Sequence, residues 1–214
     1  MPRRLASWLD TNLAAAEAFT AAVRELVAVT VSALAPPDAL AHATAAVRHA
    51  IATLRAHVPD AHPARYPHLE SIGNASDLMP FDPVMGRLSP LAPPLRFVLE
   101  DGRATADVRF SIAYEGPPGC VHGGVIAACF DQVLNVANLT AGVPGLTASL
   151  EVRYRKPTPL YADVRFEADA PEVDGRQVRT VGRLRGGDVV FADATGTFVM
   201  VPLERVMALT SGRR

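Results

Sequence analysis

Lysine is almost missing from this chain: Lys156 is the one lysine among 21 basic residues, a preference for arginine that says more about coding than about function. Neither sign of charge dominates. The net charge is −1 and the pI about 6.6, which leaves no electrostatic footprint for a nucleic-acid partner. Cysteine is scarce as well, and Cys120 and Cys129 alone cannot build a disulfide framework. Long hydrophobic runs are absent. The most apolar stretch, residues 14–34, is interrupted by Glu17, Arg24 and Glu25, so it does not read as a membrane span. Near the start, Asp10 and Glu17 break what would be the apolar core of a signal peptide. The expectation is a cytoplasmic, reduced chain with no membrane and no nucleic-acid partner. Its 214 residues suit one sizeable domain with an appendage.

What is present divides into four parts. Residues 1–60 read as a helical hairpin. Phe19, Val23, Leu26, Val27, Thr30 and Leu34 fall on one helical face, and Leu40, Val47, Ile51, Leu54 and Val58 form a second stripe after the break at Ala35–Asp38. Both segments are rich in alanine, which allows close packing. Residues 61–94 are proline-dense and aperiodic, a connection or a lid. From 95 to 203 the pattern is strand-like, with turn signals at Asp101-Gly102, "KPTP", Asp174-Gly175 and Gly186-Gly187, and with one helix inserted after two strands. Residues 204–214 form a C-terminal tail. One helix set against an antiparallel sheet is an α+β domain.

The helix is announced by "GPPGCVHGGVIAACFDQVLN", Gly116 to Asn135. Prolines and glycines rule out helix before Cys120, so Gly123 and Gly124 sit at its first turn. Backbone N–H groups there lack internal acceptors, and the helix dipole adds about half a positive charge. Glycine lets a ligand come close, which fits the turn to polarise a carbonyl. Asp131 lies seven residues beyond Gly124, ~700° around the helix, and so shares its face. Its neighbours Ile126, Cys129, Phe130, Val133 and Leu134 are apolar, so the carboxylate should be partly desolvated.

This combination resembles a known family, the hot-dog-fold acyl-CoA thioesterases of the PaaI-like branch. The matching elements are His122-Gly123-Gly124, Asp131 and the strand "PGLTASLEVRYRKPTP" from Pro144. "YEGPPGCVHGG", Tyr114 to Gly124, is most similar to the subgroup that includes mitochondrial long-chain acyl-CoA thioesterases. The resemblance spans residues 95–201. It implies a hot-dog fold, a long helix wrapped by an antiparallel sheet, and hydrolysis of an acyl-CoA or acyl-carrier thioester to a carboxylic acid and a free thiol. It implies Asp131 as nucleophile or general base, Gly123 or Gly124 as the carbonyl-polarising donor, His122 as positioning group, and Thr147 as the hydroxyl that orients the water or the carboxylate. Many members carry asparagine or glutamine six residues before the histidine; this chain has Gly116, a change the E-G-P-P-G subgroup shares.

Substrate contacts are expected from Cys120, Val121, Phe130, Leu134, Ser149, Arg153, Arg155 and Lys156, the apolar ones toward the acyl chain and the cations toward coenzyme A phosphates, with solvation of an open sheet face as the plain alternative for the arginines. No cofactor and no metal are expected, because the six histidines have no ligand spacing. A cysteine hydrolase using Cys120 and His122 is disfavoured, since the two are sequence neighbours. A dehydratase of the same fold and a non-catalytic acyl-CoA-binding or scaffolding protein stay open. Finally, Gly124 and Asp131 are ~10 Å apart along one helix, whereas both groups must lie ~3 Å from one reacting centre. Two antiparallel copies of the helix resolve this, so the expected state is a homodimer with shared sites, or a homotetramer.

Overall fold

The computed structural model describes residues 2–59, 79–100 and 102–201. The turn residue Asp101, residues 60–78 of the connection and the 204–214 tail lie outside the described residues. Helices α1 (Pro2–Thr30) and α2 (Pro37–Arg55) are followed by strands β1 (Arg96–Glu100) and β2 (Arg103–Arg109), a 3-10 turn at Ile112–Tyr114, and helix α3 (Gly123–Thr140). Then come β3 (Gly145–Tyr154), β4 (Asp163–Ala168), β5 (Glu172–Asp174), β6 (Gln177–Gly186) and β7 (Val189–Met200).

All strands pair antiparallel in the order β1-β2-β4-β6-β7-β3, with β5 added beside β6. The strand-like stretch between the turn signals "KPTP" and Asp174-Gly175 forms two strands, β4 and β5. Pro171 has no N–H to give a ladder, and the pairing lapses between Ala168 and Glu172. The hairpin turns β5–β6 and β6–β7 are made by Gly175 and Gly187, both at positive φ, where a side chain would be strained.

Strict alternation along β2, β4, β6 and β7 sends one face inward. Val108, Phe166, Val178, Leu184 and Phe198 meet Ile126, Phe130, Val133 and Leu134 of α3, all buried. Phe130 stands edge-on to Phe166, ring centres 4.9 Å apart. Gly182 and Gly196 let Leu134 seat against the sheet, since a Cβ at either would meet its methyl groups at 2.9 and 3.1 Å. α3 is thus a core helix in the crook of the sheet, which fixes everything on its remaining stripe.

The residues 79–94 end of the proline-dense connection is a plug rather than a loose linker. Asp82 Oδ1 accepts from the N–H groups of Val84 and Met85, and Met85, Leu88 and Ala92 are buried. α1 docks on this plug through a mixed side on which Thr20 and Arg24 make the polar contacts and Leu13, Ala16 and Val23 are half-buried. Thr20 is buried, Arg24 donates to the carbonyls of Gly86, Arg87 and Ser89, and Glu17 pairs with Arg87 at 2.9 Å. Phe19, Leu26 and Val27 of the apolar stripe are exposed. Both N-terminal helices form where the pattern placed them, but they do not close on each other: no residue of α2 is buried, and its stripe meets water.

Candidate active site

The start of α3 is built by the proline-glycine stretch before it. Pro117 to Cys120 make a tight turn, closed by Cys120 N–H donating to Pro117 C=O, with Gly119 at φ +72°. That is the left-handed conformation a type II turn requires at its third residue, after Pro118 at its second. Glu115 Oε1 accepts from Gly119 N–H, and Gly116 N–H donates back to Cys120 C=O. The chain therefore doubles back, and His122 N–H reaches Tyr114 C=O. A Cβ on Gly116 would come 2.7 Å from His122 Cα, so this position has no room for a side-chain amide.

His122 is the N-cap of α3, and its Nδ1 accepts from Gly124 N–H at 2.9 Å. The two glycines are thereby separated in role. Gly124 has spent its donor, whereas Gly123 N–H has no acceptor among the described residues. The carbonyl of the same peptide unit, His122 C=O, accepts from Val125 and Ile126 N–H at 3.0 and 3.2 Å, which polarises the free donor further. Among the described residues no hydrogen bond joins Cys120 to His122, and Cys129 is a buried core thiol whose pKa burial pushes up.

Asp131 is half-buried on the stripe of α3 that the sheet leaves open, and Thr147 Oγ1 donates to its Oδ1 at 2.7 Å. Simple alternation would place Thr147 on the opposite sheet face from Leu150, Val152 and Tyr154. A bulge between Thr147 and Ser149 shifts the register against β7 and swings the hydroxyl to the helix side. Oδ2 of Asp131 has no hydrogen-bond partner among the described residues.

Tyr154 is a site residue that the sequence pattern did not single out. Its hydroxyl donates to Gly123 C=O at 2.7 Å, and its ring lies where a Cβ on Gly123 would come, at 3.2 Å. Partial burial raises its pKa, so it remains a donor. Alternation from Leu150 and Val152 carries it to the helix side, and the length of β3 brings it over the turn.

The expected substrate contacts are scattered. Phe130 and Leu134 are wholly buried in the core and Val121 nearly so, while Cys120 is half-buried in the turn. Ser149, Arg153 and Arg155 follow the bulge onto the sheet face away from α3. There Arg153 pairs with Glu151, and Arg155 makes two hydrogen bonds to Asp193, whose carboxyl it holds below the usual range. Arg165 likewise pairs with Asp107, Arg179 with Glu172 and Arg183 with Asp169. Lys156 is exposed beyond the end of β3. The structure thus brings together His122, Gly123, Gly124 and Tyr154 at one end of α3, and Asp131 and Thr147 two turns along it. Among the described residues, no group of three His, Cys, Asp or Glu side chains is placed to hold a metal.

The arrangement has relatives. A family model described as "Thioesterase superfamily" matches residues 118–193. Acyl-coenzyme A thioesterase THEM4 of Xenopus laevis is 36% identical over 89 residues, 40% of this chain and 39% of its own. The Mus musculus THEM4 is 30% identical over 93 residues, 42% of this chain and 40% of its own. The chain spans about two fifths of the length of these curated relatives. A crystal structure of a thioesterase superfamily protein superposes with a TM-score of 0.76 at 32% identity, over 86% of this chain and 94% of that one. A share that large reaches beyond the sheet domain into the N-terminal helices. The chain belongs to the thioesterase superfamily, with the hot-dog fold.

Proposed function

We propose that the chain hydrolyses an acyl thioester, carried by coenzyme A or by an acyl carrier, in sites shared between two copies. The observation that carries this reading is the presence of Asp131, oriented by Thr147, and an unclaimed Gly123 N–H at the N-terminus of the same helix. Gly123 N–H would polarise the thioester carbonyl. Asp131 Oδ2 would act on the carbonyl carbon, either by taking a proton from an attacking water or by attacking directly. In the first route water adds to the carbonyl, the C–S bond breaks, and the thiolate leaves and is protonated as the acid is released; in the second the thiolate leaves an acyl–Asp131 anhydride, which water then hydrolyses to the acid and free Asp131.

Within one chain the two groups are too far apart, as the helix rise dictates. Midway between Gly124 and Asp131 lie Ala127 and Ala128, whose small side chains let a second α3 cross closely in the antiparallel sense. β3 ends the sheet with Leu146, Thr147, Ala148 and Ser149 exposed, an edge free to meet its copy. Both features support a two-fold in which Gly123 of one protomer faces Asp131 of its partner.

Release of free thiol from a panel of acyl-CoAs and an acyl carrier protein tests the activity, and subunit mixing tests the shared site. Proline is tolerated at the first helical position, and the extended His122 (φ −61°, ψ 130°) suits a residue before proline. Gly123→Pro therefore deletes the donor at a helical φ, and since its Cβ would press on the Tyr154 ring at 3.2 Å, its melting temperature is measured beside its activity. Gly123→Pro and Asp131→Asn should each be nearly inactive alone. Mixed one to one with random exchange, half the dimers are hybrid and each holds one intact site, so about a quarter of wild-type activity returns. Hybrids that stay inactive after verified exchange would rule out the shared site, while no thiol release by the wild type from any substrate would rule out the reaction.

A further inference from the structure

α1 covers a mixed side against the protein, with Thr20 buried and Leu13, Ala16, Val23 and Arg24 half-buried, and leaves Phe19, Leu26 and Val29 in water, while α2 buries nothing. We propose that these two helices form an interface between copies of this chain, with α2 of one copy lying parallel along α1 of another.

The exposed side chains have the spacing of a coiled-coil seam. On α1, Ala15, Phe19, Ala22, Leu26 and Val29 follow at alternating steps of four and three. On α2, Leu40, Thr44, Val47, Ile51 and Leu54 do the same in the same phase. Aligned in parallel, the two seams are complementary in size. Ala15 meets Leu40, Phe19 meets Thr44 and Ala22 meets Val47, a large residue against a small one each time, and Leu26 with Ile51 and Val29 with Leu54 close the apolar layers.

Charge selects the same register. Glu25 flanks the seam of α1, Arg55 flanks that of α2, and the alignment places them side by side; neither has an ion-pair partner among the described residues. Pairing α2 with its own copy is worse, because an antiparallel pair sets Arg48 against Arg55 and a parallel one offers them no acid. Nor does α2 reach its own α1: Pro36 is extended (φ −68°, ψ 161°) and Pro37 opens the helix, so the chain is led away. The contact is separate from the β3 edge, since α1 rests on residues 86–89 and the 112–114 turn beside the β1–β2 end of the sheet. Reciprocal docking across a two-fold joins two helix pairs at once, each ~28 Å long.

Cysteine cross-linking of the full chain tests this, with oxidised wild type as the control for Cys120 and Cys129. In the proposed register Ala22→Cys/Val47→Cys brings two thiols together between chains, whereas Ala22→Cys/Leu40→Cys is one heptad out. The first should give a disulfide-linked dimer on a non-reducing gel and the second should not. Adding Ile51→Asp, or Glu25→Arg, to the first should abolish the dimer, and adding Arg55→Glu to the Glu25→Arg chain should bring it back. A monomeric cross-linked species, equal yields from the two cysteine pairs, or a dimer that survives Ile51→Asp would each overturn the proposal. So would sedimentation of the wild type, and not of Ile51→Asp, with phosphatidylglycerol vesicles, which would make a bilayer the occupant of the stripe.

Discussion

α3 and α2 are of nearly equal length, 18 and 19 residues, and both carry a clear apolar stripe. Eight residues of α3 are buried and none of α2 is. The difference lies in what surrounds them. α3 is held between tight β hairpins that close a sheet over it, while α2 follows two prolines that aim it outward. Amphipathic periodicity states that a helix face will be covered; it does not say by which surface. α1 sharpens the point, because there the chain chooses polar contacts inward, through Arg24 and Thr20, and leaves Phe19 and Leu26 outside.

The largest expected effect is at Asp131, on the open stripe of α3. Asp131→Asn should lower kcat by about 10²–10⁴, the scale of a positioned base, with the melting temperature little changed. Wild-type turnover in a folded Asp131→Asn protein would sink the assignment. Thr147→Ala should cost less, because water can replace an orienting hydroxyl in part, and Thr147→Ser should recover most of the loss in the same thiol-release assay.

Next in size is the contrast in stability. Phe130→Ala removes a fully buried ring packed on Phe166 and should destabilise by about 3–5 kcal/mol in denaturant unfolding. Leu54→Ala on α2, measured on diluted protein, should change unfolding by less than about 0.5 kcal/mol, as an exposed substitution does. Equal losses at the two positions would mean that α2 is packed within its own chain.

The comparison also shows how far the sequence could be read. The strands, the turns at Gly175 and Gly187 and the helix from Gly123 all follow from local chemistry, since each turn has its own signature residue. The site was legible in part. The glycine turn and Asp131 stand out on one helix, but strict alternation along β3 would send Thr147 to the wrong face, and only the bulge at Thr147/Ser149 corrects it. A bulge is one extra residue with no composition of its own. Tyr154 was missed for a different reason: alternation puts it on the helix side with Leu150 and Val152, but spacing does not say that β3 runs far enough to reach the glycine turn. The division of labour between Gly123 and Gly124 depends on a side-chain hydrogen bond from a residue two positions away, which spacing does not encode.

That hydrogen bond gives the smallest effect. His122 caps α3 through Nδ1, and its ring edge also packs where a Cβ on Gly124 would come, at 3.1 Å. His122→Ala removes an N-cap acceptor and should destabilise by about 1 kcal/mol. It should also free Gly124 N–H, so that two donors compete for the carbonyl position and the oxyanion geometry loosens. Asparagine can accept from Gly124 in the same way, so His122→Asn should restore the stability. Activity then separates two roles for the ring. If His122 serves only to hold the turn, Asn restores kcat together with stability; if its Nε2 meets the substrate, stability returns while kcat or KM does not. A His122→Ala protein as stable as the wild type would show that the cap contributes nothing, and that the choice of Gly123 over Gly124 as the free donor has to be made on other grounds.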